Sequence, residues 1–297
     1  MDSQSTFRIG DRSPQTLHDR YTDEKSAYAQ VDRYSIIGAS VRGRLHSHNN
    51  IPRDDAFVAR FNGTWLVVAV SDGAGSREKS RYGASFAAAR LCGKLLQTVS
   101  NLKASLDDNN IVSSGLDSFM FSAFQLTRAD LEQFALKTEV KLDELHCTLL
   151  GLALNVRTNE MYVGQIGDGL ILGLDNRKEV RLIAEPPTTD DPGASYFITQ
   201  DDWDRYLYTR KIPAVDAESF STFFLMTDGV SNDCQYSPPP DILRIWANDM
   251  DREIRVVPSL QVTANRLKNY LSNYKAKGSF DDRTLVVIYR NNAGRTN

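Results

Sequence analysis

Residues 65–76 read WLVVAVSDGAGS. A continuous apolar run of this length, rich in valine and bounded by turn residues, predicts a strand with both faces buried. It ends abruptly at Asp72, with glycines at 73 and 75. An Asp-Gly pair can be a hairpin corner. It can also be a carboxylate held at a strand end to grip a cation, with glycine letting a ligand approach the backbone closely.

Outward from this stretch, β-type runs recur at 34–42, 57–61 and 65–71, and Ala, Phe, Leu and Cys then follow helical spacing from about Ser80 to Val99. A second helical region at about 114–140 carries Phe119, Phe124, Leu131 and Phe134 among polar residues. Strand patterns return in HCTLLGLALN, MYVGQI, GLILGL, KEVRLIAE, SYFIT, RYLYTRKI and FSTFFLMT. After the prolines at 238–240 come helical stretches at 241–248 and 258–273, and the chain closes on TLVVIYR. Several links between strands are too short for crossover helices, which favours antiparallel sheet. The fold class expected is α+β, with two antiparallel β-sheets packed face to face and helices outside. Residues 1–30 lack a sustained period and are expected as a polar N-terminal arm. Residues 31–297 are expected as a single catalytic domain.

The chain of 297 residues has 35 basic and 38 acidic side chains, a formal charge of -3. Such a balance makes neither nucleic acid nor an anionic membrane the default partner. No run is long enough to span a bilayer, and the first residues lack the pattern of a signal peptide, so a cytoplasmic location is expected. Cys92, Cys147 and Cys234 are widely spaced in mostly apolar surroundings and read as buried hydrophobes.

The acids are distributed in a telling way. Asp54 and Asp55 precede AFVARF, Asp72 follows WLVVAV, Asp228 follows FFLMT, Asp281 and Asp282 precede TLVVIYR, and Asp168 lies between MYVGQI and GLILGL. Carboxylates gathered in a low dielectric repel one another and need cations to hold them together. Oxygen donors without a matching His or Cys set suit Mg²⁺ or Mn²⁺ rather than zinc. Two such ions can lower the pKa of a shared water, which suits attack on phosphorus.

Six pieces, in order, are HSHNNIPRDDAF at 46–57, VAVSDGAGSREKSRYGASFA at 68–87, HCTLLGLAL at 146–154, VGQIGDG at 163–169, LMTDGVSN at 225–232 and FDDRTLVVI at 280–288. Together they resemble the metal-dependent serine/threonine protein phosphatases of the type 2C family, the bacterial branch especially. The resemblance implies the αββα sandwich and two Mn²⁺ or Mg²⁺ ions. In it Asp72 bridges the ions, the Gly73 carbonyl binds one, and Asp228 and Asp281 hold the other. Asp55 acts directly or through a metal-bound water, and Asp168 helps bind a labile third ion.

Some positions depart from the family pattern. Asp54 stands where Glu or Gln is common and is either a further ligand or a rim charge, and Asp282 is either a possible ligand or a support behind the ligands. No arginine follows Asp168. For the substrate phosphate the nearby candidates are Arg42, Arg44, Arg53 and His46; His46 is favoured, because bacterial relatives often carry a histidine at this spacing and its imidazolium could protonate the leaving alkoxide. The alternative for His46 is a surface histidine bound to an acid. His48 is less favoured, and His146 reads as a strand-edge residue. Ser76 and Arg77 lie close enough in sequence to touch substrate, and 186–218 is a candidate recognition flap. The resemblance implies hydrolysis of phosphoserine and phosphothreonine through a metal-bridging hydroxide, opposing a cognate kinase in bacterial signalling. The alternatives are a catalytically weak phosphatase fold that binds phosphoproteins or partners, and a two-metal phosphodiesterase or nuclease.

Overall fold

The computed structural model describes residues 6–106, 118–184, 195–235, 241–273 and 280–291. Its strands are β1 (Phe7–Gly10), β2 (Glu24–Val31), β3 (Tyr34–Val41), β4 (Ala56–Phe61), β5 (Trp65–Ser71), β6 (Leu149–Asn155), β7 (Met161–Ile166), β8 (Leu170–Asp175), β9 (Val180–Ala184), β10 (Tyr208–Ile212), β11 (Phe220–Met226) and β12 (Arg283–Arg290). The helices are α1 (Arg44–His48), α2 (Ser80–Leu106), α3 (Phe119–Lys137), α4 (Ala214–Glu218), α5 (Asp228–Gln235), α6 (Asp241–Val256) and α7 (Leu260–Asn273).

Two six-stranded antiparallel sheets result, one in the order β1-β4-β5-β6-β7-β10 and the other β2-β3-β12-β11-β8-β9. Alternation along the quoted run explains why it is apolar throughout. Trp65, Val67 and Ala69 pack under α2 and α3, and Leu66, Val68 and Val70 face the opposite sheet. On β12, Val286 and Ile288 join that central layer, while Leu285 and Val287 pack beneath α6 and α7. Three apolar layers therefore separate four layers of structure, which is the αββα sandwich.

Three expectations are corrected. Residues 7–10 and 24–31, expected in a loose arm, are edge strands: Phe7 lies opposite Phe61, and Glu24 opposite Val41. Edge strands with one wet face carry a weak alternation, so their polar composition reads as coil. SYFIT forms a turn, held by a bond from the Ile198 amide to the Cys147 carbonyl (3.1 Å) and bonds from the Arg128 guanidinium to the Ile198 and Gln200 carbonyls. The helix expected at 241–248 runs on to Val256 as α6. The side chain of Cys234, the prolines at 238–240, and residues 1–5, 114–117 and 186–194 lie outside the described residues. Among those described, no helix is long and apolar enough to cross a membrane.

Candidate active site

Strand register brings the acids to one end of the sandwich. Ala56 lies opposite Ser71, so Asp55 and Asp72 emerge side by side from neighbouring strands. Met226 lies opposite Leu285, which sets Asp228, leaving β11, beside the Asp281-Asp282 pair entering β12. Asp168 sits on the connection from β7 to β8, where the chain crosses between sheets.

Asp55 ties the sheets together. One of its oxygens accepts bonds from the hydroxyls of Thr227 (2.8 Å) and Thr284 (2.7 Å), while the other is buried without a hydrogen-bond partner among the described residues. The same is true of one oxygen each on Asp54 and Asp228. The remaining oxygen of Asp228 accepts from Asn232 at 3.1 Å, and that of Asp54 from the Ser80 hydroxyl at 3.2 Å. Three orphaned buried carboxylate oxygens in one locale are a large uncompensated cost unless something positive meets them.

The acidities respond accordingly. Burial and the charge of Asp282 push Asp55 well above the usual carboxylate range. Burial and the charges of Asp55, Asp228 and Asp281 do the same to Asp72. Burial, then Asp228, raises Asp168 to about 6, and burial raises Asp54 to about 6 despite His46 nearby. Asp281, at the exposed rim, is raised by desolvation and by Asp228. The mutual effects place Asp55, Asp72, Asp168, Asp228 and Asp281 within one another's fields. An all-oxygen, strongly anionic donor set of this kind fits hard divalent cations, Mg²⁺ or Mn²⁺.

Two glycines permit the crowding. A Cβ on Gly73 would stand 2.9 Å from the Asp54 carbonyl oxygen, and one on Gly229 would stand 1.9 Å from that of Asp282. Any other residue at 229 would push Asp228 and Asp282 apart.

Asp282 has a different job from its neighbour. Fully buried, it accepts the Gly43 amide at 2.6 Å and the Asp54 amide at 2.5 Å, and its first oxygen lies 3.1 Å from His46 Nδ1. Ligand atoms of His46, Asp281 and Asp282 fall within 4.8 Å of one another. Since Asp282 already holds two amides and the imidazole, the trio reads as a braced ion pair beside the acidic cluster. That bracing raises His46 to about 9, so its ring is charged at neutral pH. The ring is buried, with Nε2 3.7 Å from where a Cβ on Gly75 would stand. It is thus both acid-bound and turned toward the exposed Gly75-Ser76 turn.

Arg53, Arg42 and Arg77 are each held by acids outside the cluster. Arg53 is 2% exposed, with its guanidinium 2.7 Å from buried Asp11, so it is a structural cation and not a phosphate ligand. The reason is the unexpected β1 segment, which brings Asp11 onto β4. Arg42 pairs with Asp23 at 3.1 Å, and Arg77 lies 3.6 Å from both Asp143 and Glu144. Arg44 and His48 are exposed on α1. His146 stacks on Phe197 and bonds to the Thr199 hydroxyl at 2.7 Å, away from any metal role. Thr227, Thr284 and Ser80 are functional supports that sequence reasoning missed. Their signal, a hydroxyl beside an acid in MTDG and DDRT, is too common in loops to stand out.

A pH dependence follows for the metal-free protein. An acid whose folded pKa is raised burdens the fold only when ionised: the penalty is absent below its unfolded value near 4 and complete above its folded value. For Asp54 and Asp168 that means melting temperature should fall as pH rises from 5 to about 6.5. His46 acts in the same direction, since its stabilising contribution is full below about 6.5 and lost toward 9. The half-buried ring of His146, held below its usual range by burial, opposes them weakly at the acid end. Thermal melts in EDTA across pH 5–8 should show this decline, and saturating Mn²⁺ should remove or reverse it.

The comparisons agree with the geometry. The family model described as Protein phosphatase 2C matches residues 42–291. No curated protein matches the sequence significantly. Among solved structures, serine-threonine phosphatase 2C from Toxoplasma gondii is similar with a TM-score of 0.60 at 10% identity, over 91% of this chain and 100% of that one. A C. elegans sex determining protein is similar with a TM-score of 0.57 at 14% identity, over 88% of this chain but only 66% of that one. The Mycobacterium tuberculosis serine/threonine phosphatase PstP/Ppp gives 0.49 at 15% identity, over 87% and 99%. At such identities the first two of these structures speak for the fold, and the family model speaks for descent. With that match over most of its length, and acids gathered at one end of an αββα sandwich, the chain belongs to the protein phosphatase 2C family.

Proposed function

We propose that the protein is a Mn²⁺- or Mg²⁺-dependent serine/threonine protein phosphatase. The observation that carries this reading is the meeting of Asp55, Asp72, Asp168, Asp228 and Asp281, with raised proton affinities at Asp55, Asp72, Asp168 and Asp281 and orphaned buried carboxylate oxygens at Asp55 and Asp228. Asp72, the Gly73 carbonyl, Asp228, Asp281 and Asp55 are the proposed ligands of two ions, and Asp168 of a labile third. Divalent ions held there would supply electrophilic stabilisation of phosphoryl oxygens and an acidified water.

The chain's own groups do the rest. The threonine hydroxyls fix one oxygen of Asp55 and leave the other without a hydrogen-bond partner among the described residues, available as a ligand. His46, charged through its contact with Asp282, holds a proton for the departing serine or threonine oxygen. Cys92 and Cys147 are buried, and burial pushes both thiols up to about 12, so neither serves as a nucleophile. The substrate proposed is a phosphoprotein made by a serine/threonine kinase in bacterial signalling, in the cytoplasm.

Three substrates with and without Mn²⁺ test the class: a phosphoserine peptide, an aryl phosphate and a single-stranded oligonucleotide. Release of phosphate from the peptide, stopped by chelation and restored by Mn²⁺, is expected. Hydrolysis of the oligonucleotide alone would assign a phosphodiesterase, and no turnover with tight peptide binding would assign a binding protein.

A further inference from the structure

We infer that a cavity between the N-terminal segment, β4 and α2 binds a phosphate-class oxyanion, at a place separate from the acidic cluster. The cavity, about 270 Å³, is lined by Ser13, Gln15, Arg60, Arg90, Lys94 and Gln97 among others, with no acid in its wall. In a chain of formal charge -3 this is a local inversion.

Arg60 is the centre of the case. Its strand register sets it directly opposite Arg8 on β1. Like charges facing each other across an antiparallel pair destabilise it. Burial and the Arg60 charge hold Arg8 below its usual range, and among the described residues Arg8 finds a backbone acceptor, the Asp11 carbonyl at 2.7 Å. Arg60 makes no ion pair among the described residues, and its Nε is buried without a partner. Arg90 and Lys94 share a single carboxylate, Asp130, at 3.6 and 3.0 Å. The basic side chains therefore outnumber the compensation available to them.

Two further details point to a ligand. The Ser13 hydroxyl, in the same wall, is also buried without a partner, so a neutral and a charged donor are both orphaned at one cavity. On the facing helix stands Gly93, and a Cβ there would lie 3.4 Å from Arg60 Nη1. Glycine is a poor residue inside a helix, and its presence leaves room at the guanidinium. A tetrahedral oxyanion would accept from both orphaned donors and neutralise the facing arginines.

The cavity is not a lobe of the acidic cluster. Arg60 lies five residues beyond Asp55 along an extended strand, roughly 16 Å at ~3.3 Å per residue. The volume suits a small anion more than a drug-sized ligand.

The test is binding of inorganic phosphate to the full chain at constant ionic strength, followed by calorimetry. Saturable binding is expected, at least tenfold weaker in Arg60→Gln and weaker in Ser13→Ala, and retained in Asp72→Asn. Arg60→Gln should also melt no lower than wild type without the anion, because the facing charges are relieved. If Arg60→Gln does not fold, Lys94→Gln takes its place with the same expected weakening. Affinity unchanged in all these cavity variants, or lost in Asp72→Asn, would overturn the assignment. A phosphoserine peptide bound by Asp72→Asn more tightly than free phosphate would identify a phosphorylated chain as the source, and equal affinity a free anion. The readout is binding, so it stands or falls apart from phosphatase activity.

Discussion

Alanine in place of Asp72 or Asp228 is expected to abolish Mn²⁺-dependent release of phosphate while leaving the fold intact. The loss should reach roughly 10³-fold or more, since each residue is a proposed ligand of the groups that stabilise charge in the reaction. Stability should move the other way. Asp72 is crowded by Asp55, Asp228 and Asp281, and its proton affinity is raised for that reason. Removing one member of a repelling set relieves the rest, so the metal-free variants should melt at or above the wild-type temperature. The wild type gains about 2.7 kcal/mol from an ion present at a hundred times its dissociation constant. The variants should lose most of that gain. Phosphate release from a phosphoserine peptide, with melts in EDTA and in Mn²⁺, measures all three quantities. Turnover like that of the wild type in either variant would remove the basis of the proposed function.

The sequence carried the fold and the acids for different reasons. The run at 65–70 had to be apolar throughout because its two faces meet two different cores, and that is visible without coordinates. Acids at strand ends could be noticed individually, but their meeting depends on register, which a single chain does not display. β1 and β2 escaped notice because an edge strand needs little apolar surface. That omission carried the error at Arg53, whose partner Asp11 follows β1. The supports of Asp55 were hidden for a related reason: Thr227 and Thr284 lie 172 and 229 residues away from it in sequence. Hydroxyls acquire meaning only when the second sheet closes over the first.

Asp281 and Asp282, identical and adjacent, should fail in opposite ways when replaced by alanine. Asp282→Ala leaves the amides of Gly43 and Asp54 buried without an acceptor and strips His46 of its counter-charge. Leaving a buried charge without its partner typically costs about 3–5 kcal/mol, and each orphaned amide about 1–3 kcal/mol where water cannot reach it. Some relaxation will share these costs, so a loss of about 3–5 kcal/mol overall is expected, enough to lower the melting temperature by roughly 6–15 °C. The imidazole, no longer braced, should titrate nearer its ordinary range, which an NMR pH titration of the His46 ring would register. Asp281→Ala instead removes an exposed carboxylate that, among the described residues, accepts a local bond from the Asp282 amide at 2.8 Å. Its melt in EDTA should match the wild type within about 0.5 kcal/mol, as for most surface substitutions. Its phosphate release should collapse and its Mn²⁺-induced rise in melting temperature should shrink. If Asp281→Ala proved the unstable variant and Asp282→Ala the inactive but stable one, ligand and brace would have to be exchanged, and the proposed ion-holding set would lose Asp281.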